Sequence, residues 1–427
     1  MTTLKKSPSA LRHKQFRVYL GIRFLLSFAA QWQTTVLGFY VYQLTHSKMA
    51  IAFVGLSEVI PAIGIALYGG YIADRSNKGT LLLQSNFALV IVSISMLAAT
   101  WHHPGPAQSP YRVIYLIYLL LFVSGFARAF YEPALFAVYS RSVPRDEYAN
   151  AASWNNLSWQ LASVTGPLAA GFGYALAGSI YPGLSGISLS FIVVSGLLVL
   201  ALLLVTRLGD ASLAVGREGG LREGVLAGLR FVFRTKPLLY AMNLDLFSVF
   251  FGGVSALLPV YALDILKVGA EGLGIMRMVM SAGAVLTMVV ATRLPVMHRP
   301  WRSLLIAAGG FGICIVGFGF SANYLLALCF LFGQGAFDSI SVLIRSTLLQ
   351  LLTPEHMRGR VSAVNSMFIS SSAEIGDFES GVMASLLGTV PAVLLGGCIT
   401  LAVVVFTFSR TGKMVWLSLE ELAIASG

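Results

Sequence analysis

Charge is scarce in this chain. Asp, Glu, Lys and Arg make up 11% of its 427 residues, about half the share of a soluble globular protein. A chain this long with so little charge belongs in a bilayer rather than in water. Cysteine is nearly absent. Cys314, Cys329 and Cys398 all lie in apolar runs, which excludes a disulfide framework and a thiolate metal centre. The six histidines sit at or outside the ends of apolar runs, so no metal chemistry inside the membrane is expected. HExxH, GxSxG and the Walker glycine loop are all missing, which argues against an intramembrane hydrolase and an ATP-driven pump. No cofactor and no metal are expected. The basic start, Lys5 to Arg17, leads into an apolar run too long for a cleavable signal peptide.

What is present is apolar: 56% of the residues are hydrophobic. A bilayer crossing needs about 20 such residues. Twelve stretches meet that need, at 17–43, 50–73, 80–101, 112–139, 150–176, 186–207, 237–263, 272–295, 302–320, 323–351, 361–387 and 390–410. The expected fold is an all-α integral membrane protein of twelve transmembrane helices. Of the 29 lysines and arginines, Arg23, Arg128, Arg277 and Arg345 fall inside the runs, away from the last few residues at either end. Lys48, Arg112 and Lys267 occupy connections of one parity, and the other 22 lie in the connections of opposite parity and at the two ends. The positive-inside rule then places both termini in the cytoplasm. The net charge of +11 reflects topology; the expected partner is the lipid bilayer, not nucleic acid.

The chain repeats itself at an offset of 210. With no gaps, Pro144 falls on Pro354, Asn155 on Asn365, Gly166 on Gly376 and Gly171 on Gly381. A repeat of half the chain predicts two pseudo-symmetric six-helix bundles. The expected division is 1–207, a cytoplasmic linker at 208–236, and 237–427 with a short cytoplasmic tail. Leu221–Arg234 in the linker is amphipathic at helical spacing, as for a helix lying on the inner leaflet.

Between the second and third spans the chain reads GGYIADRSNKG. Gly70, Asp74–Arg75 and Lys78 in this stretch resemble the signature loop of the major facilitator superfamily. Asn77 stands where that family usually has Gly, and either residue can adopt positive φ. The resemblance implies that Gly70, Asp74, Arg75 and Lys78 form a cytoplasmic latch, with Asp74 near a helix N-terminus whose dipole favours it. Gly166–Pro167, with Gly171, resembles the motif of export-type antiporters in the same superfamily; tight helix packing is the plainer account. The stretch RSTLLQLLTPEHMRGRVSAVNSMF, followed by EIGDFESG and LLGGC, resembles the enterobactin-exporter branch, and the likeness extends over essentially the whole chain.

Ionisable residues inside spans are costly without a partner or water, so they mark candidate sites. Arg23, Arg128, Glu132, Asp245, Asp338 and Arg345 lie on the first and fourth spans of the two halves. The resemblance implies that these spans line the central cavity. Arg128 and Glu132, four apart, share a helix face and can pair, either as a fixed strut or as a proton relay. Asp338 and Arg345 lie two turns apart on one face. Glu374 and Asp377, three apart, repel each other, which favours a proton on one of them. Asp338, Glu132 with Arg128, and Glu374 with Asp377 are the proton-coupling candidates, in that order. Arg23, Gln31, Gln33, Asp245, Gln334 and Arg345 are the substrate-cavity candidates. Glu58, Arg277 and Glu379 complete the set of charges; Arg277 and Arg23 lie toward span ends, where long side chains snorkel.

The combined reading is a monomeric exporter in the bacterial inner membrane. It moves a small amphipathic molecule, siderophore-like or drug-like, by proton antiport with alternating access. The alternatives are a proton-coupled importer of the same fold and a membrane sensor that binds without transporting.

Overall fold

The computed structural model describes residues 10–75, 77–101, 110–144, 147–180, 183–208, 221–291, 298–354, 357–418 and 421. Among the described residues all regular structure is helical. The first six spans are α1 (Lys14–Thr45), α2 (Lys48–Arg75), α3 (Lys78–Trp101), α4 (Pro110–Arg141), α5 (Tyr148–Ile180) and α6 (Gly186–Val205). The amphipathic linker segment is helix α7 (Leu221–Arg234). The seventh span begins as α8 (Lys236–Phe251) and ends beyond a short α9 (Leu258–Val260). The rest are α10 (Gly269–Ala291), α11 (Pro300–Gly319), α12 (Tyr324–Leu352), α13 (Arg358–Leu387) and α14 (Thr389–Thr411).

Eight of these spans are apolar and long enough to cross a membrane on their described residues: the third, fourth, sixth to tenth and twelfth. Of the other four, α1, α5 and α13 are richer in polar and small residues. The four carry Arg23, Gln31, Gln33, Glu58, Glu374, Asp377 and Glu379. The most polar helices are thus among those that bear the candidate site.

The chain divides into two compact units. One comprises Met1–Tyr40 with Ser57–Glu218, the other Val41–Leu56 with Gly219–Gly427. Within the first, α3 packs on α4 and α6, and α5 on α6. Within the second, α11 packs on α12 and α14, and α13 on α14. These are the same neighbours at the same places in a six-span half.

The repeat also holds at single bonds. Glu147 N–H donates to the Pro144 carbonyl at 3.1 Å, and Met357 N–H to the Pro354 carbonyl at 2.9 Å, so one turn introduces both α5 and α13. Gly166 and Gly376 let corresponding helices approach. A Cβ on Gly166 would lie 2.8 Å from Gln31 Cβ on α1, and one on Gly376 would lie 2.6 Å from the Phe250 carbonyl oxygen on α8.

The segment Val41–Leu56, the end of α1 and the start of α2, belongs to the second unit. The Tyr42 hydroxyl donates to Asp264. Lys48 Nζ donates to the Ala384 carbonyl at 3.1 Å. Phe53 meets Phe378 edge-on with ring centroids 5.7 Å apart.

The seventh span departs from its sequence reading as one helix over 237–263. Helix α8 stops at Phe251, and Gly252, Gly253 and Val254 lie outside any helix. A 3-10 turn follows at Ser255–Leu257, then α9, then a π-helical turn at Tyr261–Ile265. The residues explain the break. Two adjacent glycines lower the cost of leaving the helix, and Pro259 has no N–H to continue it. Packing fixes the site of the break, because a Cβ on Gly253 would lie 2.7 Å from Ser380 Oγ and 2.9 Å from the Gly376 carbonyl oxygen.

Candidate transport site

In the first unit the site grows from α4. Ser124, Arg128 and Glu132 follow one another at intervals of four, which sets them in one stripe along the helix. Gly125 lies beside that stripe, and its missing side chain lets α4 touch the Glu58 carbonyl and the Pro61 ring of α2. The close approach brings Glu58 to α4. Its Oε1 accepts from Ser124 Oγ at 2.9 Å and pairs with Arg128 Nε at 2.7 Å. One turn on, Glu132 Oε2 pairs with Arg23 NH1 of α1 at 3.3 Å.

The sequence sets Arg128 and Glu132 as partners of each other, yet each carries its ion pair to a different helix. Together the two pairs bind three helices, α1, α2 and α4, around a polar strip. Glu58 was the member that sequence reasoning left out of the candidate set. The glycine one position after Ser124 was the available signal.

A cavity of about 20 Å³ opens beside Arg128, room for about one water. Gln33, Ser124, Arg128 and Tyr131 supply its polar lining, and Leu26, Leu89 and Leu198 close it. Gln33 is buried. Gln31, one turn before Thr35, accepts the Thr35 hydroxyl at its carbonyl and backs onto Gly166. Pro167 and Gly171 are buried inside α5, which runs through the proline. Gly173 presses on the Trp32 ring, whose buried Nε1 has no hydrogen-bond partner among the described residues.

In the second unit Asp245 of α8 and Arg345 of α12 form an ion pair, and both side chains are buried, at 8% and 3% exposure. These two substrate-cavity candidates are bonded to each other. Gln334, also buried, has an Oε1 with no partner among the described residues. Asp338 lies four residues on from Gln334 and seven before Arg345. It is half-buried and makes no ion pair or hydrogen bond among the described residues. Glu374 and Asp377 are half-buried on α13. Arg277 does not snorkel to a span end; its NH2 donates inward to the Ser255 carbonyl at 3.5 Å. Arg23 likewise turns inward, to Glu132. On the same stretch of the second unit an apolar pocket of about 230 Å³ lies among Leu246, Phe247, Phe250, Ser372 and Ile375.

Helix α2 runs through Gly70, Asp74 and Arg75, but the placement of their side chains lies outside the described residues. Lys78, the last member of that loop, is buried at the start of α3. Asn77 caps this helix, its Oδ1 accepting from the Gly79 amide at 3.0 Å and the Thr80 amide at 3.4 Å. An N-cap is a role that asparagine fills better than glycine. Among the described residues no group of His, Cys, Asp and Glu is placed to hold a metal ion.

The sequence profile of the Major Facilitator Superfamily matches residues 16–376. The chain belongs to this superfamily. It is 25% identical over 414 residues to the enterobactin exporter EntS of Citrobacter koseri, covering 96% of this chain and 93% of the relative. The enterobactin exporter EntS of Shigella flexneri is 26% identical over 357 residues, 82% of this chain and 80% of that one. Among solved structures, a D-xylose-proton symporter aligns with a TM-score of 0.72 at 14% identity, covering 96% of this chain and all (100%) of that one. A bacterial homologue of the iron transporter ferroportin aligns with a TM-score of 0.70 at 16% identity, covering 96% and 100%. These similarities establish the fold of the superfamily and a multi-pass membrane transporter rather than an enzyme.

Proposed function

We propose that the protein exports a small amphipathic molecule from the bacterial cytoplasm by proton antiport, through alternating access. The observation that carries this reading is Asp338. It is a carboxylate within a span, half-buried, with no ion pair or hydrogen bond among the described residues. A charge so placed is costly, and binding a proton removes that cost. Asp338 is therefore the first coupling candidate. Glu132 is second, because a proton on it frees Arg23, and Glu374 with Asp377 is third. The pocket beside Phe247 and Phe250 offers apolar area, which suits the apolar part of an amphipathic organic solute. Export and a siderophore-like substrate are supported by the near full-length similarity to enterobactin exporters.

The test uses proteoliposomes with an imposed pH gradient and purified enterobactin as the first probe, alongside metabolite profiling of cells lacking the gene. Wild type is expected to accumulate substrate against its gradient. Asp338→Asn or Glu132→Gln is expected to lose this accumulation but keep exchange of substrate for substrate. Normal accumulation in both variants would make these acids structural. Transport that follows sodium and ignores the pH gradient would overturn proton coupling.

A further inference from the structure

One end of the second unit is built around Trp301, in the first turn of α11. The positive-inside rule assigns this end to the cytoplasmic face. Trp301 is fully buried, and its Nε1 donates to Thr411 Oγ1, at the end of α14, at 2.8 Å. Beyond Thr411 the chain turns into a short 3-10 helix, Gly412–Trp416. Val415 is buried in the same apolar cluster as Trp301 and Val232 of α7. Its neighbour Trp416 is left outside, 65% exposed. Two cations converge on the Trp416 ring. The guanidinium carbon of Arg299 lies 5.3 Å from the ring centroid, and that of Arg302 5.8 Å.

Neither arginine makes an ion pair or a hydrogen bond among the described residues. Glu421, the described acid that follows in the chain, accepts from the Ser418 amide at 2.7 Å. A guanidinium stacked on an aromatic face keeps N–H groups along its edge for an anion. Two such cations drawn to one ring repel each other, and an anion between them removes the repulsion.

The face of α11 that carries Arg302 says which anion. Ile306 lies four residues on and Ile313 seven further, so all three share that face. Both isoleucines are exposed. On a spanning helix such an apolar stripe is covered by acyl chains. Helix α14, which packs on α11, also exposes Phe406 and Phe408. One turn beyond Phe406, the Arg410 guanidinium lies over its ring at 5.5 Å. The cations thus stand at the ends of lipid-facing stripes, at the level where headgroups lie and tryptophan anchors a span.

We propose that Arg299 and Arg302 bind the phosphate of an anionic phospholipid, whose chains lie along Ile306 and Ile313 and whose glycerol region rests against Trp416. The arginines select for net negative charge, because a zwitterionic headgroup brings an ammonium of its own. A lipid held this way ties the turn after α14 to the start of α11. The site is independent of what the transporter carries and of which ion drives it.

Tryptophan fluorescence of the full chain in phosphatidylcholine nanodiscs tests the site. The discs carry a small fraction of brominated phosphatidylglycerol or of brominated phosphatidylcholine, and the Trp416 signal is the difference between wild type and Trp416→Phe. Brominated phosphatidylglycerol is expected to half-quench Trp416 at a mole fraction about tenfold lower than brominated phosphatidylcholine. Trp101, exposed at the end of α3 and read from Trp101→Phe in the same way, should be quenched equally by both. Arg299→Gln combined with Arg302→Gln should abolish the preference at Trp416. Arg207→Gln, which removes an exposed cation beyond α6, should retain it. Equal quenching of Trp416 by the two lipids in wild type overturns the proposal. So does a preference that survives loss of both arginines, or one that Trp101 shows to the same degree. If the double variant does not fold, Arg302→Gln alone decides, with a preference reduced about fivefold expected and an unchanged one overturning the site. Excess inorganic phosphate should leave the wild-type preference intact; its loss would mark a site for free anions and overturn the lipid assignment.

Discussion

Gly125 and Gly335 occupy corresponding places in the two units. Each lies on the fourth span of its half with no room for a Cβ, pressed against a carbonyl of the second span, Glu58 in one unit and Met280 in the other. They are 210 positions apart, the same offset that aligns the two halves in sequence. The duplication therefore preserved the contact that sets the distance between two helices.

Gly125→Ala and Gly335→Ala should destabilise the protein to a similar degree, by about 1–3 kcal/mol each, because the added methyl meets backbone that cannot step aside. Gly196→Ala is the control, since open space surrounds that position; it should leave the melting temperature unchanged or raise it slightly. Thermal unfolding of the purified variants checks all three.

Breaking the Asp245–Arg345 pair leaves one buried charge alone. Arg345→Met and Asp245→Leu should each cost about 3–5 kcal/mol, and the double variant should recover most of the loss. A double-mutant cycle on unfolding midpoints measures this. Additive losses would show that the two side chains act independently.

Ser124 and Arg128 share one oxygen of Glu58. Ser124→Ala should cost about 1 kcal/mol and Glu58→Gln about 1.5–3 kcal/mol. The combined variant should lose less than the sum, since the second change removes a bond already gone. The same denaturation measurements in detergent give the coupling.

The basic connections make a prediction about sidedness. Reporter domains fused after residue 105 and after residue 215 should report opposite faces of the membrane, with 215 on the cytoplasmic side. Signals from the same face would overturn the span assignment between them.

Most of the fold was legible in the sequence, because bilayer crossing demands long apolar runs and basic loops that no other class of protein needs. The twelve runs correspond to the twelve long helices within a few residues, except at the seventh. There the run is apolar throughout, and hydropathy cannot tell a straight span from a broken one. The signs were local: Gly252–Gly253 and Pro259. The charges of the site were also legible, but their partners were not. Spacing along α4 suggested that Arg128 belongs with Glu132. Which helix approaches α4, and at what depth, is decided by Gly125 and by packing, and neither shows in a count of residues. The same holds for Arg277, whose position near a span end said nothing of the carbonyl opened to it by a break in another helix.

The assignment of Val41–Leu56 to the second unit bears on how the protein is made. Asp264, the Ala384 carbonyl and Phe378 find partners that leave the ribosome more than 200 residues earlier. The first hairpin must therefore wait in the membrane, its connecting end unsatisfied, until the seventh and eleventh spans arrive. A cut within 208–236 would not yield two self-sufficient fragments. The later fragment expressed alone lacks Tyr42, Lys48 and Phe53, so it should be degraded unless the earlier one is supplied in the same cell.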